Sequence, residues 1–426
     1  MGDGPYLTQK PEELLNVVKE NKFYIEPQKF SYHGVLHPLD ITTKTMFKYG
    51  FEEIETPIFE FTEVFARNLG DTSDIVTKEM YCFNDKGGES LTLRPEGTAG
   101  VVRAFVSNGM QQNLPVKFYY TGPMFRYERP QKGRQRQFTQ FGVELLGVET
   151  PQADVEVIAM AYEFLEKLGL SGQVTVEINS LGDAESRDEY RTKLVAYLKE
   201  HYDELSEDSK NRLERNPLRV LDSKEECDKV VVENAPLYAD SLNETSKEFF
   251  AKVLHGLDLL GIKYRVNNRL VRGLDYYTHT VFELTTDKLG AQGTVLAGGR
   301  YNGLVAQMGG GDVAGIGWAC GVERLAMLLE NDVEMSRPVA VIPMGEDAED
   351  KALEISNQLR RAGFRVEQSY SGNMKKRMTK AVKANAFKAV IIGSDELAKG
   401  EAAVKDLDSG EQKNIKFANI VEEINA

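Results

Sequence analysis

Apolar and polar positions along the chain change period several times, and each change predicts an element. Ser90 and Thr92 alternate with Leu91 and Leu93 after a Gly87-Gly88 turn, which is the two-residue period of a half-buried strand. Pro95-Glu96-Gly97-Thr98 then opens a helix with Val101, Val102 and Phe105 at helical spacing. Lys117 to Tyr120 and Phe138 to Leu146 read as two strands of a long polar hairpin. Ala153 to Leu168 reads as an amphipathic helix, with Val155, Ile158, Tyr162 and Leu165 on one face and Gly169 as its stop. From Leu181 to Gly261 charged helices dominate, at Glu185 to Leu198, Lys210 to Arg215 and Ser246 to Leu260, broken by Pro217 and Pro236. Strand texture returns at Tyr264 to Val266 and Val281 to Leu284, so the helices read as an insertion into one body. That body closes with Ala297 to Tyr301 and a glycine-spaced strand from Gly315 that runs into a helix at Glu323. Past Asn331 and Pro338, strands at Val339 to Pro343, Phe364 to Gln368 and Ala389 to Gly393 alternate with helices at Asp347 to Gly363 and Asn373 to Asn385. This βαβαβ order predicts a small parallel sheet with right-handed crossovers.

Composition narrows the classes of function. At 426 residues and 41% hydrophobic the chain can bury a large core in two or three domains. It has no apolar run of about 18 residues and no basic-then-apolar leader, so it is expected in the cytoplasm without a membrane span. Cys82, Cys227 and Cys320 form neither a disulfide framework nor a metal pattern and are expected to be packing residues. The five histidines, His33 and His37 included, have no ligand spacing, so no protein metal site is expected. A formal net charge of -14 argues against coating nucleic acid by global attraction. Two basic segments still allow a local polyanion surface: Arg126 to Arg136, and Lys375-Lys376-Arg377 continuing to Lys380, Lys383 and Lys388.

Candidate chemistry lies in the first body. The stretch Arg272 to Glu283 sets a fixed cation beside Tyr276 and Tyr277 on an otherwise buried strand. A buried guanidinium or phenol needs a partner, so the stretch lines a polar pocket or forms a structural ion pair. The hairpin between Phe125 and Phe138 presents Arg126, Arg134 and Arg136 with Glu128 between them. Guanidinium pairs bidentately with phosphate oxygens, so this set suits an extended triphosphate, with a surface charge cluster as the alternative. Arg324, opening a helix after the glycine-rich strand, reaches a further phosphate or is an ordinary helix arginine.

Four blocks in this order resemble bacterial histidyl-tRNA synthetases: Leu93-Arg-Pro-Glu-Gly-Thr98, Gly122 to Arg134, Arg272 to Glu283, and Gly315 to Leu325. The similarity runs from about Tyr49 to the end. It implies an α/β (α+β) protein: a class II antiparallel-sheet catalytic core (1-170 and 262-331), a helical insertion (171-261), and a small doubly wound α/β anticodon-binding domain (337-426). It implies ATP-dependent ligation of L-histidine to tRNA(His) through histidyl-adenylate, with Mg2+ accompanying ATP and a homodimer as the assembly.

The same resemblance assigns roles. Arg126 holds the α-phosphate and the substrate carboxylate, Arg272 faces the α-phosphate from the opposite side, and Arg324 takes the γ-phosphate. Glu128 and Arg134 lie by the nucleotide. Glu96, Gly97, Thr98 and Gln140 receive the α-amino end of histidine, and Glu144, Tyr277 and Tyr301, with Tyr276 alongside, receive the imidazole. Gly298, Gly299 and Gly317 are expected to keep the pocket floor open. A site reading both ring nitrogens rejects analogues without editing, and no editing domain is expected. The chain departs from the pattern at Gln28 to Asp40, where the family usually carries an Arg-Gly-Thr-x-Asp loop, and at Thr139 and Asn302, where histidine and aspartate are common. The competing reading is the synthetase-like, histidine-binding regulatory subunit of histidine biosynthesis, which lacks the C-terminal domain.

Overall fold

The computed structural model describes residues 44–425 apart from 70–74, 130, 132, 222, 224, 273–275 and 330–336. The divergent segment Gln28 to Asp40, with His33 and His37, lies outside the described residues. The chain divides into two compact units, Met1–Asp332 and Val333–Ala426.

The first unit is built on an eight-stranded sheet. Its order is β1 (Glu52–Glu53), β5 (Val116–Phe125), β6 (Gln137–Leu146), β11 (Gly315–Gly321), β10 (Thr294–Arg300), β9 (Thr278–Thr285), β7 (Thr175–Ser180) and β8 (Tyr264–Val266). Neighbours run antiparallel except at the two margins, where β1 pairs parallel with β5 and β8 with β7. A second sheet of three antiparallel strands has the order β2 (Phe59–Phe61), β4 (Ser90–Leu93), β3 (Tyr81–Asn84).

One face of the large sheet carries Phe141, Val143 and Leu145 of β6, Ile316 and Trp318 of β11 and Leu296 of β10 against the helix Pro151–Lys167. That helix offers Val157, Ile158, Phe164 and Leu165 at helical spacing, and the Trp318 indole donates to Val157 O at 3.1 Å. A fully buried Arg300 ties the same helix to the end of β10: its Nε donates to Asp154 Oδ2 at 3.1 Å and its Nη1 to Val148 O at 2.9 Å. Arg94 braces the second sheet in the same manner, donating to Pro123 O at 2.9 Å and to Thr56 O at 2.7 Å. Thr56 is a buried partner of Arg94.

The expected helical insertion takes a different form. Its anticipated start at 171 precedes β7, which pairs with β9 inside the main sheet. The helices begin at Ala184 and end at Leu259, so the segment leaves the sheet after β7 and returns to it at β8. They are also fused to the body. Tyr190, Leu194 and Leu198 share one apolar cluster with Phe65, Phe105 and Tyr277, and Val253 and Leu257 join the cluster of the main core.

The second unit holds a five-stranded sheet of order β13 (Val366–Gln368), β12 (Val339–Met344), β14 (Lys388–Gly393), β15 (Glu401–Asp406), β16 (Gln412–Lys416). β12 pairs parallel with β13 and β14, as the βαβαβ pattern predicts, and the antiparallel hairpin β15–β16 extends it. Helices Glu349–Arg361 and Ile420–Asn425 cover one face and Met374–Lys383 the other. No helix among the described residues is long and apolar enough to cross a membrane.

Candidate active site

The open face of the large sheet is low because its residues are small. Period-two alternation puts Gly315, Gly317, Ala319 and Gly321 of β11 on that face, next to Ala297 and Gly299 of β10 and opposite the bulky Ile316 and Trp318. A cavity of about 360 Å³ stands over this floor. A Cβ on Gly317 would lie 2.1 Å from Glu144 Oε2, and one on Gly315 2.1 Å from the Tyr301 ring, so both glycines give space to site side chains. Gly298 points the other way: a Cβ there would lie 2.6 Å from Trp318 Cβ, so it serves the core and not the pocket floor.

At one end of the cavity a network of neutral and acidic groups surrounds Glu144, which is 1% exposed. Thr98 Oγ1 donates to Glu144 Oε1 at 2.7 Å and Tyr301 Oη donates to Glu144 Oε2. Burial pushes the Glu144 carboxyl up to about 8, against the lowering effect of its hydrogen bonds from Tyr301 and Thr98. The phenols of Tyr276, Tyr277 and Tyr301 are pushed up by burial and so remain neutral donors. Tyr276 and Tyr277 pack with ring centroids 4.7 Å apart, and Tyr301 meets Tyr276 edge-on at 5.8 Å. Glu96 caps the helix Thr98–Ser107, accepting from Thr98 N at 2.7 Å and Ala99 N at 2.8 Å. Burial raises its pKa too, opposed by those backbone bonds. Gln140 Oε1 accepts from Gly97 N at 3.0 Å.

Guanidiniums collect at the other end. Arg126 Nε donates to Pro95 O at 2.8 Å, and its guanidinium lies 5.2 Å from the Phe138 ring centroid. Arg324 Nε donates to Gly133 O at 2.9 Å and its Nη1 to Thr294 O at 3.0 Å, which fixes its plane. Burial first, then the neighbouring Arg134 and Arg126, lower the pKa of Arg324, against the raising effect of Glu128 and Glu283. Arg134 pairs with Glu128 at 3.2 Å. Arg272 is ion-paired to Glu283 and lies 5.5 Å from the Tyr277 ring centroid. Burial disfavours its charge, yet Glu283 and the two tyrosines raise its pKa overall. The buried Nε of Arg272 has no hydrogen-bond partner among the described residues. Such a donor costs free energy until an acceptor arrives.

Glu96, Thr98, Arg126, Glu128, Arg134, Gln140, Glu144, Arg272, Tyr276, Tyr277, Tyr301 and Arg324 all line this one cavity, and Gly97 adjoins it through Gln140. Arg136, grouped with the phosphate arginines by spacing, is not a lining residue: it lies 4.2 Å from the Tyr127 ring centroid and donates to Glu128 O at 3.3 Å. Cys320 is buried at the cavity as packing would have it, whereas Cys82 and Cys227 are exposed, contrary to expectation. His279 stays outside the site, stacked on Phe249 at 4.7 Å with φ 44 at a bulge of β9. Thr139 offers backbone and not side-chain chemistry, its N–H donating to Glu323 Oε1 at 2.8 Å.

Among the lining residues to which sequence reasoning gave no role are Glu283, Thr294 and Glu323. Glu283 accepts from Thr294 Oγ1 at 2.7 Å besides pairing with Arg272, and Glu323 holds the N–H of Thr139. Glu283 had a signal: an acid on the strand position opposite the core residues Phe282 and Leu284. Thr294 had none.

With this geometry in place, residues 40–325 match the family model described as histidyl-tRNA synthetase, and residues 338–426 match the anticodon binding domain. The chain belongs to the histidyl-tRNA synthetase family. A curated histidine--tRNA ligase of Rhodospirillum rubrum is 60% identical over 376 residues, covering 88% of this chain and 91% of that protein. One from Wolbachia pipientis wMel is 51% identical over the same share of this chain and 92% of its own length. Among solved structures, apo histidyl-tRNA synthetase of S. aureus aligns over 100% of both chains with TM-score 0.76 and 37% identity. A Bacillus halodurans protein described as an ATP phosphoribosyltransferase regulatory subunit/histidyl-tRNA synthetase shares the fold at TM-score 0.65 and 22% identity, covering 92% of this chain and 100% of that one. Family membership accounts for the antiparallel core and the separate C-terminal sheet seen here.

Proposed function

We propose that the chain ligates L-histidine to tRNA(His) in two steps at the cavity just described. A histidine carboxylate oxygen attacks the α-phosphorus of ATP and pyrophosphate leaves, giving histidyl-adenylate. A ribose hydroxyl of the terminal tRNA nucleotide then attacks the carbonyl carbon and AMP leaves. The observation that carries this reading is one cavity with opposite ends of complementary chemistry: Glu144, Tyr277 and Tyr301 at one, Arg126, Arg134 and Arg324 at the other, with Arg272 between the tyrosines and the phosphate end.

Arg126 and Arg272 stabilise charge developing on the pentavalent phosphorus, and Arg324 receives the γ-phosphate. Arg134, steered by Glu128, orients the nucleotide. Glu96, Thr98 and Gln140 take the α-ammonium group, with Gly97 setting the turn that carries them. Glu144, Tyr276, Tyr277 and Tyr301 read the ring. The catalysis is positioning and electrostatics, with no covalent enzyme intermediate. Mg2+ is expected to arrive with ATP, held by the phosphate oxygens. The second unit, matched to the anticodon binding domain, engages the far end of the tRNA. A cytoplasmic homodimer is the assembly this reading carries, supported by the exposed Phe59, Phe61 and Phe83 on the three-stranded sheet.

Transfer of labelled histidine to tRNA(His), run beside histidine-dependent pyrophosphate exchange, tests the reading. Both activities are expected. Histidine binding without exchange indicates the regulatory alternative, and exchange without transfer indicates a different acceptor.

A further inference from the structure

The second unit carries an exposed aromatic ring on a backbone turn that is clamped from below. Tyr370 follows β13 and is 77% exposed, with no aromatic or cationic partner among the described residues. Beneath it, Arg377 of the helix Met374–Lys383 is 8% exposed despite its charge. Its Nε donates to Gly372 O at 2.6 Å, and its Nη1 donates to Pro343 O and, at 3.3 Å, to Ser369 O. One guanidinium therefore fastens both sides of the turn 369–372 to the end of β12. Arg377, grouped by sequence with a basic segment open to a polyanion, is therefore buried and occupied by backbone carbonyls.

The remaining cations of that helix are free to act. Lys375, Lys376 and Lys380 are exposed and make no ion pair or hydrogen bond through their side chains among the described residues. Lys376 sits against the turn, since a Cβ on Gly372 would lie 3.2 Å from Lys376 Cβ. The turn also lies at the carboxyl ends of the parallel strands β12 and β13, the edge where open α/β sheets place their ligands. An exposed ring on a clamped turn near unpaired lysines matches what single-stranded RNA needs: a face for a base to stack on and cations for the phosphates next to it.

We propose that Tyr370 is a stacking platform for an unpaired nucleobase of the tRNA anticodon loop, held ready by Arg377 and flanked by Lys375 and Lys376. The inference rests on the tRNA ligase reading and names a specificity residue for its RNA substrate. An aromatic platform selects an unstacked base by shape and fixes the loop for neighbouring contacts, which a lysine cluster alone does not do.

The test compares wild type, Tyr370→Ala and Tyr370→Phe on full-length tRNA(His) and on an acceptor-stem minihelix that lacks the anticodon. Tyr370→Ala is expected to raise KM for full-length tRNA by about ten-fold or more, with pyrophosphate exchange and minihelix charging unchanged. Tyr370→Phe, which keeps the ring, is expected to stay within about two-fold of wild type. Equal charging of full-length tRNA by wild type and Tyr370→Ala overturns the proposal, as does an equal loss on the minihelix or a failure of the Phe variant to rescue. A wild-type chain that charges no RNA overturns the ligase reading itself, an outcome distinct from these.

Discussion

Thr98 and Glu144 stand 46 positions apart in sequence, and the Thr98 hydroxyl donates to Glu144 Oε1 at 2.7 Å. The bond joins the first residue of a helix to the far part of strand β6. Its acceptor is a carboxyl that burial raises from an ordinary value of 4.5 to about 8.

That shift has a definite sign. A carboxyl whose folded pKa exceeds its unfolded one binds more protons when folded, so its favourable contribution is complete below about pH 4.5 and is lost as pH rises toward 8. Over that window Glu144 lowers stability by at most roughly 1.4 kcal/mol per pH unit. Denaturant unfolding of wild type and Glu144→Gln at pH 5 and pH 8 checks this: the wild type is expected to lose more stability between the two than the variant. Parallel curves would show that Glu144 is already ionised in the folded chain.

Substituting Arg272 should strike the chemical step. Arg272→Ala is expected to cut histidine-dependent pyrophosphate exchange by at least about 10²-fold, as loss of a transition-state donor does. Because Glu283 is the guanidinium's ion-pair partner, Glu283→Gln should reduce exchange less, and the double variant should be no worse than Arg272→Ala alone. Additive losses would mean that Glu283 acts independently of Arg272.

Gly317→Ala probes the floor. Its new methyl would fall 2.1 Å from Glu144 Oε2 and 2.2 Å from Val143 O, so the carboxylate and the adjoining backbone of β6 both have to move. The KM for histidine is expected to rise by about ten-fold or more, since a buried polar partner is misplaced, while the KM for ATP changes little. Steady-state exchange kinetics with each substrate varied reads the two constants apart.

In the second unit, Arg377 and Lys376 should separate structure from RNA binding. Arg377→Ala removes one charged donor group from three backbone carbonyls and is expected to cost about 2 to 3 kcal/mol locally. Amide hydrogen exchange should then quicken across 369–372. Lys376→Ala leaves those bonds in place and should weaken tRNA charging without altering exchange protection.

Much of the architecture is visible in residue periods alone. Helix Pro151–Lys167, the β5–β6 hairpin and the parallel order of β12, β13 and β14 each follow from local alternation, because one buried face imposes a short repeat on the chain. The hairpin β15–β16 and the helix Glu226–Glu233 went unread, since Ala402, Ala403 and the mostly polar Gln412–Lys416 carry weak alternation and Glu226–Glu233 is a short charged helix.

The sequence by itself determined which residue types this protein brings to its site and, through four ordered blocks, the family that uses them. Only the tertiary structure decided their partners. It paired Arg272 with Glu283, withdrew Arg136 from the cavity, turned Gly298 toward Trp318 and sank Arg377 beneath a turn. The physical reason is that the direction and partner of a charged side chain depend on which strands lie beside it, and in this sheet those neighbours come from segments up to about 190 residues away.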